Sequence, residues 1–334
     1  MAIKLGVVGA GRMGRVHVEN IQNLIPDACV WAVADSYMND EISAWAKSLG
    51  VKKIYKTHEE MLMDPEVQAV VIATPVKTHL SISLDALKSG RHVFCEKPLD
   101  IQLDHIRKII EQAETTGLVY QVGFNRRFDP DYMEAKRRIG NAGKVYMVKL
   151  TSKDMLPPSY LYVRESGGQI IDSAIHEIDL IRYLTEDEVD EVYAAGQALI
   201  DPKIAEYHDT DVCVLMLKMA GGGYALIDIA RQSPAGADRR IEIFTEKEII
   251  RVENKPSGLI SALTHEGTRQ LPPADGMSRF AESWRREMAA FVESIRDGKK
   301  VQAGPVDGLR SMEIAMAANQ SLLQNKPVKI IRSQ

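Results

Sequence analysis

IKLGVVGAGRMG, residues 3–14, is the stretch on which the fold turns. Ile3–Gly9 is apolar enough for a buried strand, and Arg12–Leu24 has the periodicity of a helix, ended by Pro26. Between them runs Gly9-Ala10-Gly11-Arg12-Met13-Gly14, a G-x-G-x-x-G. Alone the pattern is weak. Here a strand precedes it, a helix follows it, and Asp35 closes the next strand 21 residues beyond Gly14. Gly9 permits the tight turn, Gly11 lets the backbone approach a pyrophosphate, and Gly14 lets helix and strand pack closely. The helix N-terminus adds free N–H donors and partial positive charge. Gly9, Gly11, Arg12, Met13 and Gly14 are therefore candidate cofactor-binding residues, with Asp35 on the ribose. A carboxylate there accepts from both ribose hydroxyls and repels a 2′-phosphate. Ser36-Tyr37-Met38 supply no cation to offset that repulsion, so NAD is expected in preference to NADP.

Outward from this loop, strand and helix alternate. Ala28–Asp35, Val67–Ala73, His92–Cys95 and Leu118–Gly123 read as strands; Asn39–Leu49, Thr78–Lys88 and Leu103–Thr116 read as helices. The order predicts an α/β fold with a doubly wound parallel sheet over residues 1–123. Beyond, the pattern changes. Helices at Pro130–Ile139 and Gln169–Leu184 flank a strand at Lys144–Thr151. Strands at Glu191–Ile200, Asp211–Met219, Tyr224–Gln232, Arg240–Thr245 and Glu248–Glu253 follow, with turns at Gly221–Gly223 and Glu246-Lys247. Helices at Phe280–Ile295 and Leu309–Leu323 end the chain. Residues 124–334 are thus expected to form an α+β domain around a large, mostly antiparallel sheet.

Composition narrows the function. Lysine and arginine number 42 against 46 acids, a formal charge of −4, which points away from nucleic acid and from anionic membrane surfaces. No run of roughly 18 apolar residues exists to span a bilayer. Lys4 and Gly6 interrupt the N-terminal apolar run, so no signal peptide is read there. Cys29, Cys95 and Cys213 are far apart and lie in strand-like surroundings, as buried reduced thiols do. A cytoplasmic protein is expected.

In an open parallel sheet, ligands sit beyond the carboxyl ends of the strands. The loops Thr74–His79 and Glu96–Pro98 have that address, which makes Thr74, Pro75, His79, Glu96 and Lys97 candidate cofactor contacts. Lys97 is placed to meet a substrate; Glu96 can bond cofactor hydroxyls or hold the lysine. A surface Glu-Lys pair is the plainer alternative. A second polar constellation lies on the apolar helix QIIDSAIHEIDLIRYL, residues 169–184. At helical pitch Asp172, His176, Asp179 and Tyr183 fall within about 60° of one another. A carboxylate beside a histidine suits general-base chemistry near neutral pH. A solvated helix face is the alternative. No metal is expected, since no thiol or second histidine joins the row.

These residues bring a resemblance. GVVGAGRMG, ATPVKTH at 73–79, CEKPL at 95–99, VGFNRRFDP at 122–130 and GGQIIDSAIHEIDL at 167–180 resemble the glucose–fructose oxidoreductase/inositol dehydrogenase (Gfo/Idh/MocA) family over nearly the whole chain. The likeness implies a catalytic set of Lys97, Asp172 and His176, with His176 removing the hydroxyl proton and Lys97 bonding the reacting oxygen. It implies a polyol contact at Asp179, a further substrate contact at Arg127, and a homodimer or homotetramer formed through the open face of the second sheet. Relatives commonly carry Asn after Thr74-Pro75, where this chain has Val76-Lys77. The loop Asp154–Glu165 is individual to this sequence and is expected to shape substrate choice through Tyr160, Tyr162 or Arg164. The implied activity is NAD-dependent oxidation of a secondary hydroxyl on a cyclic polyol or sugar. An NAD-dependent glycosidase and a non-catalytic dinucleotide sensor remain as alternatives, because fold does not settle function.

Overall fold

The computed structural model describes residues 2–332. Its first sheet has six parallel strands: β1 (Ile3–Val8), β2 (Ala28–Ala34), β3 (Lys53–Tyr55), β4 (Ala69–Ile72), β5 (His92–Cys95) and β6 (Tyr120–Val122). Their order is β3-β2-β1-β4-β5-β6. The order reverses between β1 and β4, so the glycine loop after β1 and the loop after β4 are neighbours, as ligand binding at a switch point requires. The helices α1 (Arg12–Leu24), α2 (Asp40–Ser48), α3 (His58–Leu62), α4 (His79–Lys88) and α5 (Leu103–Thr116) connect them. Every residue of β4 is buried, the reason for its unbroken apolar run. Residues 53–62 had no expected element; β3 and α3 are too short for their periodicity to show.

The second sheet has seven strands: β7 (Val145–Lys153), β8 (Val189–Gln197), β9 (Val212–Met219), β10 (Tyr224–Ala230), β11 (Asp238–Thr245), β12 (Ile249–Val252) and, after a separate hairpin of β13 (Ser261–Thr264) and β14 (Gly267–Gln270), β15 (Val328–Lys329). The order is β12-β11-β7-β10-β9-β8-β15, antiparallel except for the β7–β10 pair. β8 stops at Gln197, three residues short of the expected end, because the Asp211 carboxylate takes the N–H groups of Leu199, Ile200 and Asp201. α6 (Pro130–Ile139), α7 (Tyr160–Glu165) and α8 (Ile175–Thr185) belong to this region; α9 (Gly276–Asp297) and α10 (Pro305–Gln324) complete the fold. Among the described residues no helix is long and apolar enough to cross a membrane.

Two compact units result: Met1–Phe128 with Glu282–Leu309, and Asp129–Ala281 with Arg310–Gln334. The sequence reading assigns all of 124–334 to the second domain; the structure returns 282–309 to the first. The reason is packing. Met288, Phe291 and Val292 join the core formed by Leu5, Val7, Val18 and Phe94. Gln121 donates to the Glu287 carbonyl at 2.9 Å, and the Val122 N–H donates to the Ala303 carbonyl at 2.9 Å. The helical period of 280–295 shows that one face is buried, not which core receives it.

Candidate active site

The glycine loop assigns each glycine a different task. Gly9 has φ +97°, and a Cβ there would lie 2.6 Å from the Ala73 carbonyl oxygen. A Cβ on Gly14 would fall far inside contact distance of the Gly9 carbonyl oxygen. The fold itself demands both. Gly11 is otherwise: a Cβ there would meet no atom within 4 Å. Its φ of −70° suits any residue. The fold therefore gives no reason for glycine at Gly11, whereas a diphosphate lying against the chain does. Gly11 caps α1 without a side-chain bond, which leaves the N–H groups of the first turn, at Arg12 and Met13, for an anion. Asp35 lies beside this loop, its Oδ2 accepting from the Ala10 N–H at 2.6 Å and its Oδ1 from the Tyr37 N–H at 2.8 Å. These residues fit a dinucleotide.

At the neighbouring strand tips two expected cofactor contacts face inward. His79 is 1% exposed, and its Nδ1 and Nε2 each lie 2.9 Å from a carbonyl oxygen, of Pro98 and Thr74 respectively. Burial pushes its pKa down while the two carbonyls oppose that shift, and the ring lies between the two loops, within reach of both. Thr74 exchanges a side-chain bond with Thr78 at 2.7 Å, and Pro75 accepts from the Thr78 N–H at 3.0 Å. Glu96 turns its carboxylate to His17, with Oε1 2.7 Å from Nε2, and its Oε2 accepts from the Lys97 N–H at 3.3 Å. Lys97 itself is half-buried. Arg127 is buried, paired with Asp307 at 2.9 Å and bonded to the Gln302 carbonyl.

In the second unit the expected straight helix begins with a π-helical turn, Ile170–Ala174, before α8. The wider turn carries Asp172 and ends two residues before His176, a feature frequent at functional sites. Asp172 is held on two sides. Tyr162 donates to its Oδ1 at 2.7 Å, and Arg231 Nη1 lies 3.9 Å from its Oδ2. Arg231, 2% exposed, is fixed in turn by Asp209 at 2.6 Å and the Thr210 carbonyl at 3.2 Å. Asp209 also accepts from the Gln169 and Thr210 N–H groups, each at 2.8 Å. His176 is half-buried, on the first turn of α8.

Residues 3–124 match the family model described as "Oxidoreductase family, NAD-binding Rossmann fold", and residues 132–251 match the GFO/IDH/MocA C-terminal domain. The chain belongs to the GFO/IDH/MocA oxidoreductase family. It is similar to the myo-inositol 2-dehydrogenase of Thermotoga maritima, at 34% identity with 98% of each chain covered. It is also similar to the NAD-dependent scyllo-inositol 2-dehydrogenase of Bacillus subtilis, at 32% identity over 98% of this chain and 96% of that one. Among solved structures, scyllo-inositol dehydrogenase from Lactobacillus casei with bound NAD(H) and scyllo-inositol superposes with a TM-score of 0.92, at 29% identity over 99% of both chains.

Within this GFO/IDH/MocA chain the polar row divides. Asp179, the expected polyol contact, is 1% exposed and faces Ser311 at 3.4 Å and Arg182 at 3.9 Å. Tyr183 lies under the Lys136 ammonium, 4.6 Å from the ring centre. Tyr160 donates to Asp201 at 2.7 Å and stacks on Tyr207, so it anchors α7 while Tyr162, two residues on, reaches Asp172. The bond to Asp201 pushes the Tyr160 pKa up. Arg164 is exposed, its nearest acid Glu165 at 3.6 Å. Sequence reasoning did not find Asp209 and Arg231. The run His208-Asp209-Thr210-Asp211 was the available signal, but its partner is 22 residues away.

Proposed function

We propose that this NAD-dependent dehydrogenase oxidises a secondary hydroxyl of a cyclic polyol to the ketone, an inositol being the leading substrate. The observation that carries the proposal is Asp172, oriented by Tyr162 and Arg231, one turn before His176, in a chain whose relatives are named for inositols. The loop Gly9–Gly14, the first turn of α1 and Asp35 hold NAD, which supplies the hydride acceptor when bound. His176 takes the proton of the reacting hydroxyl, and the Asp172 carboxylate steadies the imidazolium that forms. Lys97 bonds the same oxygen and offsets the negative charge that builds on it. Removing the proton as hydride leaves avoids a free alkoxide. Asp179 and Arg127 are the proposed polyol contacts; both are buried, Asp179 beside Ser311 and Arg127 beside Asp307.

We further place the enzyme in the cytoplasm as a homodimer or homotetramer. Tyr146, Met216, Tyr224 and Phe244 leave apolar surface exposed on the open face of the second sheet, and light scattering of the purified chain gives its mass. The function is tested by following NADH absorbance with a panel of inositols and monosaccharides, with NAD and with NADP. Growth of NADH with an inositol and NAD is expected. Release of a chromogenic leaving group from glycosides without net NADH replaces the dehydrogenase by a glycosidase. Tight NAD binding without any turnover replaces it by a sensor.

A further inference from the structure

Beneath the Lys97 loop, within the first unit, three ionisable side chains meet. They are His17 from α1, Glu96 at the end of β5, and Glu287 from α9; their ligand atoms lie within 4.8 Å of one another. His17 and Glu287 are both 0% exposed. His17 packs edge-on against Phe94, with ring centres 5.2 Å apart, and Phe94 against Phe291 at 5.9 Å, so the surroundings are apolar. His17 is committed to Glu96. Neither carboxyl oxygen of Glu287 has a hydrogen-bond partner among the described residues. Gln121 bonds only its backbone carbonyl, and the nearest cation on its own helix, Arg286, is turned to Glu282 at 2.7 Å.

A second carboxylate buried beside Glu96 without a cation or a donor is far too costly to hold as an anion. We propose that His17, Glu96 and Glu287 form a buried positioning set for the Lys97 loop, in which Glu287 is the un-ionised acid and His17 ties Glu96 down. The arrangement then carries a single carboxylate charge, and that charge is shared with the imidazole. Gly123 completes it: a Cβ there would lie 2.9 Å from Glu96 Oε2, so no larger residue lets the carboxylate seat. The Glu96 carboxylate so fixed accepts the Lys97 N–H, which links His17 to the residue expected at the reacting oxygen. Burial first, and the Glu96 charge second, hold the Glu287 pKa well above the usual carboxylate range. The positioning role rests on the dehydrogenase reading of Lys97; the protonation state of Glu287 does not.

Two measurements on the full-length chain decide it. The first is the melting temperature of Glu287→Gln against the parent from pH 5 to pH 8, without substrate. The unfolded chain ionises Glu287 above its ordinary pKa while the fold keeps it protonated. The parent therefore loses stability relative to the variant as pH rises, and the gap widens in favour of Glu287→Gln. A gap that is constant, or that narrows, overturns the proposal, as does one bound divalent metal per chain by elemental analysis. The second is steady-state kinetics of His17→Ala. A misplaced lysine is expected to lower kcat about 10- to 100-fold, with NAD affinity held within about threefold. His17→Gln, which can still donate to Glu96, recovers part of the loss. Unchanged kcat in His17→Ala, or no recovery in His17→Gln, overturns the positioning role. If the parent turns over no polyol, the dehydrogenase reading fails, and the widening gap still decides the state of Glu287.

Discussion

Replacing Gly11 by Ala and, separately, Gly14 by Ala tests whether the glycine loop is built for a ligand or only for a turn. At Gly11 a methyl group meets no protein atom within 4 Å, and φ −70° is open to alanine. Alanine there restricts the unfolded chain, a gain of about 0.4–1 kcal/mol. It also replaces glycine at a helix N-cap, a loss of roughly 0.5–1 kcal/mol. The two offset, and the melting temperature of the NAD-free chain should stay within a few degrees of the parent. NAD affinity should not survive, because the methyl group occupies the space over the helix N-terminus. A loss of about tenfold or more, about 1.4 kcal/mol, is expected by titration calorimetry. At Gly14 the methyl group runs into the Gly9 carbonyl, which is backbone and cannot turn aside. Overpacking of this kind costs about 1–3 kcal/mol, and the NAD-free chain should melt measurably earlier. Full NAD affinity in Gly11→Ala, or equal destabilisation by the two changes, refutes the division of tasks.

Other perturbations follow from the same geometry. His176→Ala should lower kcat about 10²–10⁴-fold while calorimetry shows NAD binding intact; unchanged turnover removes His176 as the base. Arg231→Met leaves the buried Asp209 carboxylate without its cation, so chemical denaturation should report a loss of about 3–5 kcal/mol from the second unit. Tyr162→Phe removes the donor to Asp172 Oδ1 at an exposed position, and should alter the KM for the polyol more than the melting temperature. Asp35→Asn removes the charge that repels a 2′-phosphate, and the NAD/NADP affinity ratio should fall relative to the parent.

The parts of this protein that were legible along the chain are those whose meaning is local. Gly9, Gly11 and Gly14 announce a turn through their spacing, and β4 announces burial on both faces through an unbroken apolar run. Asp172 and His176 stand out because they interrupt an apolar helix. Side-chain direction is not legible in this way. His79 and Glu96 lie on the right loops, yet their side chains turn inward, to carbonyls in one case and to His17 in the other. Arg127 and Asp179 have residue types suited to a polyol, and the chain does not announce that Asp307, Ser311 and Arg182 lie beside them.

By itself the sequence determined the alternation of the longer strands and helices, the dinucleotide loop and the polar row that runs from Asp172 into α8. Backbone conformation and amphipathic periodicity are set by neighbours a few residues apart. Only the tertiary structure decided that residues 282–309 return to the first unit, that Arg231 and Asp209 support Asp172, and that Glu287 lies against Glu96. Those outcomes depend on which distant side chains share one enclosed volume. There the cost of burying each charge selects its partner, and spacing along the chain does not encode that choice.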